Sequence, residues 1–504
     1  MAGGQLEPPP RVQSLRFALG FSSALLLEAC GVLGASPFEG HDETHLTGPS
    51  PAPDAARCDA VGRARAALSV ADRALVGAPA GYQPDLALAA RITELARSQE
   101  QRRQAAWSIA KRVLTPVPLS EAVPFAPATL PAWQSWHDEE DLTRIFRHLY
   151  PELSSSERAT RAPFSDAAID EAWRWNDGAI ADFESWTVAR WEAYRAAIDE
   201  RSELAGIAGI RRVAYAPAAS RHFIESYPEL LGCADENSSD HPELFANPAS
   251  GCEAASAAPA CLSATFPRAS TLVKADWRRT GIGTPLPTFD TSASALGRRL
   301  SAGGSFSWAE PDGEADPGED QIYTLKLPNG NVYRLAGLHI MTKELDHWFW
   351  LTLWWSPDPD SDFGADRPDA VPAPFGNYKL CSVVDFIEND PDPTGGFAAS
   401  QPSLGAALAR THSGVGGPSW CSNPYIERGD GNAMTNCIGC HQHAGTGLTP
   451  LEILADGAQF PEFGRALVRD DFPSDYVFDA AAGDDLRAMF EETEDHYRTG
   501  DVAE

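Results

Sequence analysis

Val332-Tyr-Arg-Leu-Ala-Gly-Leu-His-Ile-Met341, followed by His347-Trp-Phe-Trp-Leu-Thr-Leu-Trp-Trp355, is the stretch on which the fold turns. The second run is apolar at both parities. A strand with one wet face would alternate, so this one is read as central and covered on both faces. Just upstream, Gln321-Ile-Tyr-Thr-Leu-Lys-Leu327 does alternate, and Pro328-Asn-Gly-Asn331 supplies a hairpin turn into the Val332–Met341 strand. Together these runs predict a mostly antiparallel β region near 305–390. Beyond the Trp-rich strand, Asp358, Asp360, Asp362 and Asp366 alternate through a loop. Phe363 stands where an EF-hand loop needs glycine, so a calcium loop is not supported and a solvated acidic loop is expected.

Toward the N-terminus the periodicity becomes helical. From Asp85 to Thr115, Leu88, Ile92 and Leu95 share a face, Asp85 is a suitable N-cap, and Pro116 and Pro118 end the run. A second helical stretch starts near Ser165. Further on, Phe183, Trp186, Trp191, Tyr194 and Ile198 form an aromatic stripe suited to packing against other helices. Between Leu231 and Thr271 lies a polar, Ala/Ser/Pro/Asn-rich stretch with three cysteines, read as an irregular loop region. The expected organisation is a signal segment at 1–30, a flexible tether at 31–57, a helical region at 58–230, the cysteine-containing loop at 231–271 and a mixed α/β region at 272–504. The fold class expected is α+β, with a helix at 437–445 carrying the chemistry.

Of the 504 residues 43% are hydrophobic, with 14 Trp and 22 Phe, enough apolar material to rule out wholesale disorder. Forty basic residues against 71 acidic ones leave a formal net charge of −31. Such a surface repels a phosphate backbone, so nucleic acid is an unsuitable partner and a protein with a basic surface a suitable one. Arg11 and Arg16 precede the apolar run Phe17–Leu27, a secretory signal pattern too short to span a bilayer comfortably. Leu27-Glu28-Ala29-Cys30-Gly31 resembles a bacterial lipoprotein signal with Cys30 as the lipidated residue, although Glu28 stands where a small residue is usual. The expected location is therefore the periplasm, free or held to the membrane by a lipid on Cys30. Ordinary cleavage near Ala35 or an uncleaved anchor are the alternatives. In an oxidising compartment the six cysteines other than Cys30, Cys437 and Cys440 can form up to three disulfides. Proximity suggests Cys252 with Cys261 and Cys381 with Cys421.

Cys437-Ile-Gly-Cys-His441 is C-x-x-C-H, the attachment pattern for c-type haem. Two thiols one helical turn apart can add to the two haem vinyl groups, and the adjacent imidazole then binds iron from the proximal side. Cys437 and Cys440 are the expected covalent anchors of one haem c, and His441 its proximal ligand. Two other readings use the same residues. Cys437, Cys440, His441 and His443 are a zinc-type donor set, cramped for a tetrahedron. A redox-active cysteine pair is the other, without a thioredoxin-like context before it. The sixth iron ligand decides function, because a filled position suits electron transfer and an open one small-molecule chemistry. Met341, His339 and Met489 are the distal candidates, His412 and His443 rank below them, and Met434 is too close to the motif.

Several segments resemble a group of large, exported bacterial monohaem proteins, the cytochrome c family proteins. They are Lys274-Ala-Asp-Trp277, Gly337-Leu-His-Ile-Met-Thr-Lys343 with Trp348-Phe-Trp-Leu-Thr352, the single C-terminal haem motif with Ala444 close behind, and Leu130-Pro-Ala-Trp-Gln-Ser-Trp136. After Thr352 the chain departs from the group, continuing Leu353-Trp-Trp-Ser356 where an aromatic, a Glu and a His are usual. The resemblance implies an exported c-type cytochrome. The first expected function is electron transfer with a basic redox partner. A peroxidase- or oxidase-like haem enzyme, with His339 and the Trp-rich strand lining a distal pocket, is the alternative. A haem-based sensor or binding module is the third. One C-x-x-C-H argues against dihaem and multihaem arrangements.

Overall fold

The structure is a computed structural model. It describes residues 79–118, 129–138, 163–174, 211–226, 265–279, 285–301, 308–326, 332–384, 421–428, 437–442 and 474–477, together with 141, 142, 145, 146, 149 and 444. In chain order the helices are α1 (Ile92–Arg97), α2 (Gln99–Val113), α3 (Asp166–Arg174), α4 (Pro217–Glu225), α5 (Ala293–Ser301) and α6 (Cys437–His441). The strands are β1 (Pro116–Pro118), β2 (Thr129–Pro131), β3 (His137–Asp138), β4 (Arg211–Tyr215), β5 (Thr271–Arg279), β6 (Leu286–Thr288), β7 (Gly313–Ala315), β8 (Thr324–Lys326), β9 (Val332–Thr342), β10 (Phe349–Trp355) and β11 (Tyr378–Val384). This is an α+β chain.

Its centre is a seven-stranded sheet in the order β11-β10-β9-β5-β4-β3, with β8 pairing the start of β9 beyond the end of β10. Every pairing in it is antiparallel. β10 lies between β9 and β11, and all seven of its residues are buried, which is the environment that apolar residues at both parities require. β8 and β9 pair as the hairpin reading expects; the turn residues 328–331 lie outside the described residues. The sheet reaches further than the sequence suggested. β5 already begins at Thr271, and β3 and β4 come from the segment read as helical. Arg211-Arg-Val-Ala-Tyr215 is too short to show a period, and it becomes a strand because β5 offers it a partner.

The first helical stretch is also divided. Ser98 has extended backbone (φ −122°, ψ 110°), ending α1, and its hydroxyl accepts the Gln101 N–H at 3.2 Å to cap α2. α3 starts after Ser165, whose hydroxyl accepts the Ala168 N–H at 3.1 Å. α2 runs beside β10 and β11, and its Arg103 donates to the Leu380 carbonyl of β11, the end strand of the sheet among the described residues, at 2.6 Å. Arg112 of the same helix meets the fully buried Glu344 at 2.6 Å, and Tyr82 also donates to that carboxylate. Burial raises the pKa of Glu344. The acidic loop after β10 is not simply solvated: Lys379 meets Asp362 at 2.6 Å, both largely buried, and Asp366 pairs with Arg103. Their ionic partners lie outside the loop, on β11 and α2, which is why the loop read as an isolated charge run. The aromatic stripe at 183–198 and the Cys252–Cys261 pairing lie outside the described residues.

Candidate functional site

Side chains alternate along β9, so Gly337, His339 and Met341 share one face. Their register partners Lys274 and Leu272 on β5, and Thr352 and Trp350 on β10, share it too. Segment 421–428 and the short helix α6 cover this face. At Gly337 a Cβ would come within 3.0 Å of both Asn423 and Ile426, so glycine is what lets the covering segment sit this close. Asn423 donates to Thr352 Oγ1 at 2.7 Å and to the Leu353 carbonyl at 2.8 Å. Cys381 of β11 is joined to Cys421 by a disulfide, which ties the start of the segment to the sheet.

α6 is the C-x-x-C-H motif itself. Its first four residues are buried, and Cys437 and Cys440 are both thiols not joined to each other. The imidazole of His441 packs on the indole of Trp350, ring centroids 4.6 Å apart. Nδ1 of His441 lies 2.9 Å from the Tyr476 carbonyl oxygen. A carbonyl only accepts, so Nδ1 carries the proton and the lone pair is left on Nε2. Burial pushes the imidazole pKa down to about 4, so the ring is neutral at pH 7, the form that binds metals.

The carbonyl that holds His441 belongs to a turn, Ser474–Val477, whose Asp475 and Tyr476 have φ of 46° and 70°. Two adjacent non-glycine residues in the left-handed region need support from outside. Asp475 receives it from Lys343 Nζ at 2.5 Å and the Phe266 N–H at 3.1 Å, while its carbonyl accepts the Trp348 indole N–H at 2.9 Å. The Tyr476 hydroxyl meets His347 Nδ1 at 2.6 Å. Burial lowers the pKa of Lys343, and the Asp475 carboxylate opposes that shift. Asp475, Tyr476 and the role of Lys343 have no signature in sequence. They follow no motif, and 35 residues separate Tyr476 from His441.

At the other end of α6, Cys437 Sγ, a ring nitrogen of His339 and a carboxylate oxygen of Glu427 lie within 4.8 Å of one another. His339 Nε2 is 3.9 Å from Glu427 Oε1. The second oxygen, Oε2, accepts the Asn423 N–H. Burial pushes the Glu427 carboxyl up to about 7, partly offset by its hydrogen bonds and by Lys274. Of the distal candidates, His339 is thus brought to Cys437. Met341 lies on the same sheet face, opposite the Trp350 that stacks on His441. Met489, His412, His443, Met434 and Cys30 lie outside the described residues. Among the described residues no helix is long and apolar enough to cross a membrane.

The donor set suits a covalently held haem in three respects: two thiols one turn apart, a neutral imidazole beside them, and an orienting hydrogen bond on its far nitrogen. Comparison of the chain with family models, with curated proteins and with solved structures gives no match.

Proposed function

We propose that this chain is an exported c-type cytochrome that carries one haem on Cys437 and Cys440, with His441 as proximal ligand, and transfers electrons. The observation that supports this best is His441 itself: it follows the second cysteine of a C-x-x-C pair on a helix, and its Nδ1 is tied to the Tyr476 carbonyl. The bound group supplies a one-electron ferric/ferrous couple. Tyr476 holds the imidazole in the tautomer that presents Nε2, and Trp350 fixes the ring plane. A donated hydrogen bond also makes the opposite nitrogen a stronger base. The buried indole of Trp350 covers one face of the imidazole. A net charge of −31 favours a partner with a basic surface and accelerates encounter with it at low salt. Signal-directed export, with a lipid on Cys30, would place the protein where such partners and haem-attachment machinery meet.

The test is co-expression with a cytochrome maturation system. Haem that stays with the chain on a denaturing gel, and is lost in the Cys437→Ser, Cys440→Ser double variant, is the expected result. Ferric, ferrous and ferrous-plus-CO spectra then separate the uses of the site. A low-spin spectrum unmoved by CO supports electron transfer, whereas rapid CO binding points to an accessible iron and the enzyme or sensor reading. A purified chain with no covalent haem would sink the proposal.

A further inference from the structure

We propose that in the haem-free chain His339, Glu427 and Cys437 form a binding site for one zinc-class divalent cation. The three residues come from β9, segment 421–428 and the first position of α6, so the site exists only in the folded chain. Nitrogen, oxygen and sulfur donors of these types are those that hold zinc, at about 2.0–2.3 Å each. Ligand atoms within 4.8 Å of one another need an inward movement of about 1 Å to reach the spacing of a tetrahedral shell around such a cation. Two of the donors are anchored for it. Glu427 uses Oε2 on the Asn423 N–H and turns Oε1 toward His339. His339 sits in the middle of the central sheet, paired on both sides by Thr352 and Lys274. A carboxylate and a thiolate supply two negative charges that neutralise a dication, and these outweigh the single opposing positive charge of Lys274, which stands opposite His339 on β5. Three protein donors leave a fourth coordination position for an exogenous ligand, as open zinc sites do.

This site differs from one built within the C-x-x-C-H motif, because it uses only the first cysteine and neither Cys440 nor His441. It stands on the geometry of the unmodified chain and does not require the haem reading. If that reading holds, the two states exclude each other at Cys437: a thioether on this sulfur cannot serve as the thiolate ligand. The cation would then occupy the chain between export and attachment.

The experiment uses full-length protein made without maturation machinery and kept reduced. Zn(II) is titrated by calorimetry, and Co(II) by absorption, where a thiolate ligand gives an intense near-ultraviolet charge-transfer band. The expected result is one cation per chain and a charge-transfer band lost in Cys437→Ser. His339→Ala and Glu427→Gln should each weaken affinity at least tenfold, and Cys440→Ser should leave it unchanged. Glu427→Gln preserves shape, so it keeps the test decisive if His339→Ala perturbs the sheet; circular dichroism checks each variant. Absence of binding by folded wild-type protein overturns the proposal. So does binding that needs Cys440 and ignores His339 and Glu427. Failure of haem attachment in the matured protein is read separately and leaves these outcomes intact.

Discussion

Replacing both Cys381 and Cys421 by alanine removes the bond that ties segment 421–428 to the sheet. Forty residues separate the two cysteines, so in the chain-entropy account the bond withholds about 4 kcal/mol of freedom from the unfolded chain. Neither residue has any solvent exposure, and deleting two buried sulfurs adds about 1 kcal/mol for lost contacts and residual cavity. The expected loss is therefore about 5 kcal/mol, comparable to the whole stability of many domains. The folded structure should change little, because Asn423 keeps its bonds to Thr352 and Leu353 and Tyr425 donates to the Pro287 carbonyl at 2.7 Å. The assay is guanidinium unfolding of haem-free wild type and double variant, followed by tryptophan fluorescence and circular dichroism. A reductant is not equivalent, since it would open any other disulfide in the chain. A loss below about 2 kcal/mol would refute the reasoning that this bond stabilises the protein by restricting the unfolded chain. Equal native spectra with a steeper denaturant dependence would place the effect in a more open unfolded state, as argued.

Lys343→Met should cost about 2 kcal/mol, because it leaves the partly buried Asp475 carboxylate without its cation. The same variant should loosen the Tyr476 carbonyl from His441, seen in matured protein by NMR as faster solvent exchange of the His441 Nδ1 proton; an unchanged exchange rate would separate the turn from the ligand. Gly337→Ala should destabilise by about 2 kcal/mol, since the new methyl meets an Asn423 that two hydrogen bonds hold in place; a neutral result in thermal unfolding would show that segment 421–428 yields. Glu427→Gln should alter the pH dependence of the haem-free, metal-free protein. The Glu427 pKa rises on folding, from an ordinary 4.5 to about 7, so its contribution is fully present below pH 4.5 and is lost as pH rises through 7. The glutamine variant should match wild type near pH 4 and exceed its stability by up to about 3 kcal/mol at pH 8. Parallel stability curves for the two proteins would contradict a buried carboxylate whose desolvation outweighs its hydrogen bonds.

Much of the fold was legible because it rests on local pattern. Phe349–Trp355 carries apolar residues at both parities, which need cover on both faces, and it lies between β9 and β11 with all seven residues buried. Ser165 reads as a helix start because its hydroxyl can reach an orphan N–H one turn on, and it does. The C-x-x-C-H spacing needs no tertiary information, because one helical turn puts Cys437 and Cys440 on the same side. The sequence by itself therefore determined the fold class, the central strand and the motif that carries the proposed chemistry.

Only the tertiary structure decided the rest. Periodicity is blind to a five-residue strand such as Arg211–Tyr215, whose conformation depends on β5 arriving beside it. It is equally blind to which carboxylates find cations, as Asp362 and Asp366 do at Lys379 and Arg103. The surroundings of His441 come from residues 91 positions before it and 35 after it, Trp350 and Tyr476. His339, Glu427 and Cys437 carry no common motif, and their meeting is a consequence of strand register, of the close approach that Gly337 permits and of the covering segment the disulfide ties down. Covalent spacing along a chain is written in the sequence, whereas the neighbours that set tautomer, charge and ligand geometry are selected by packing.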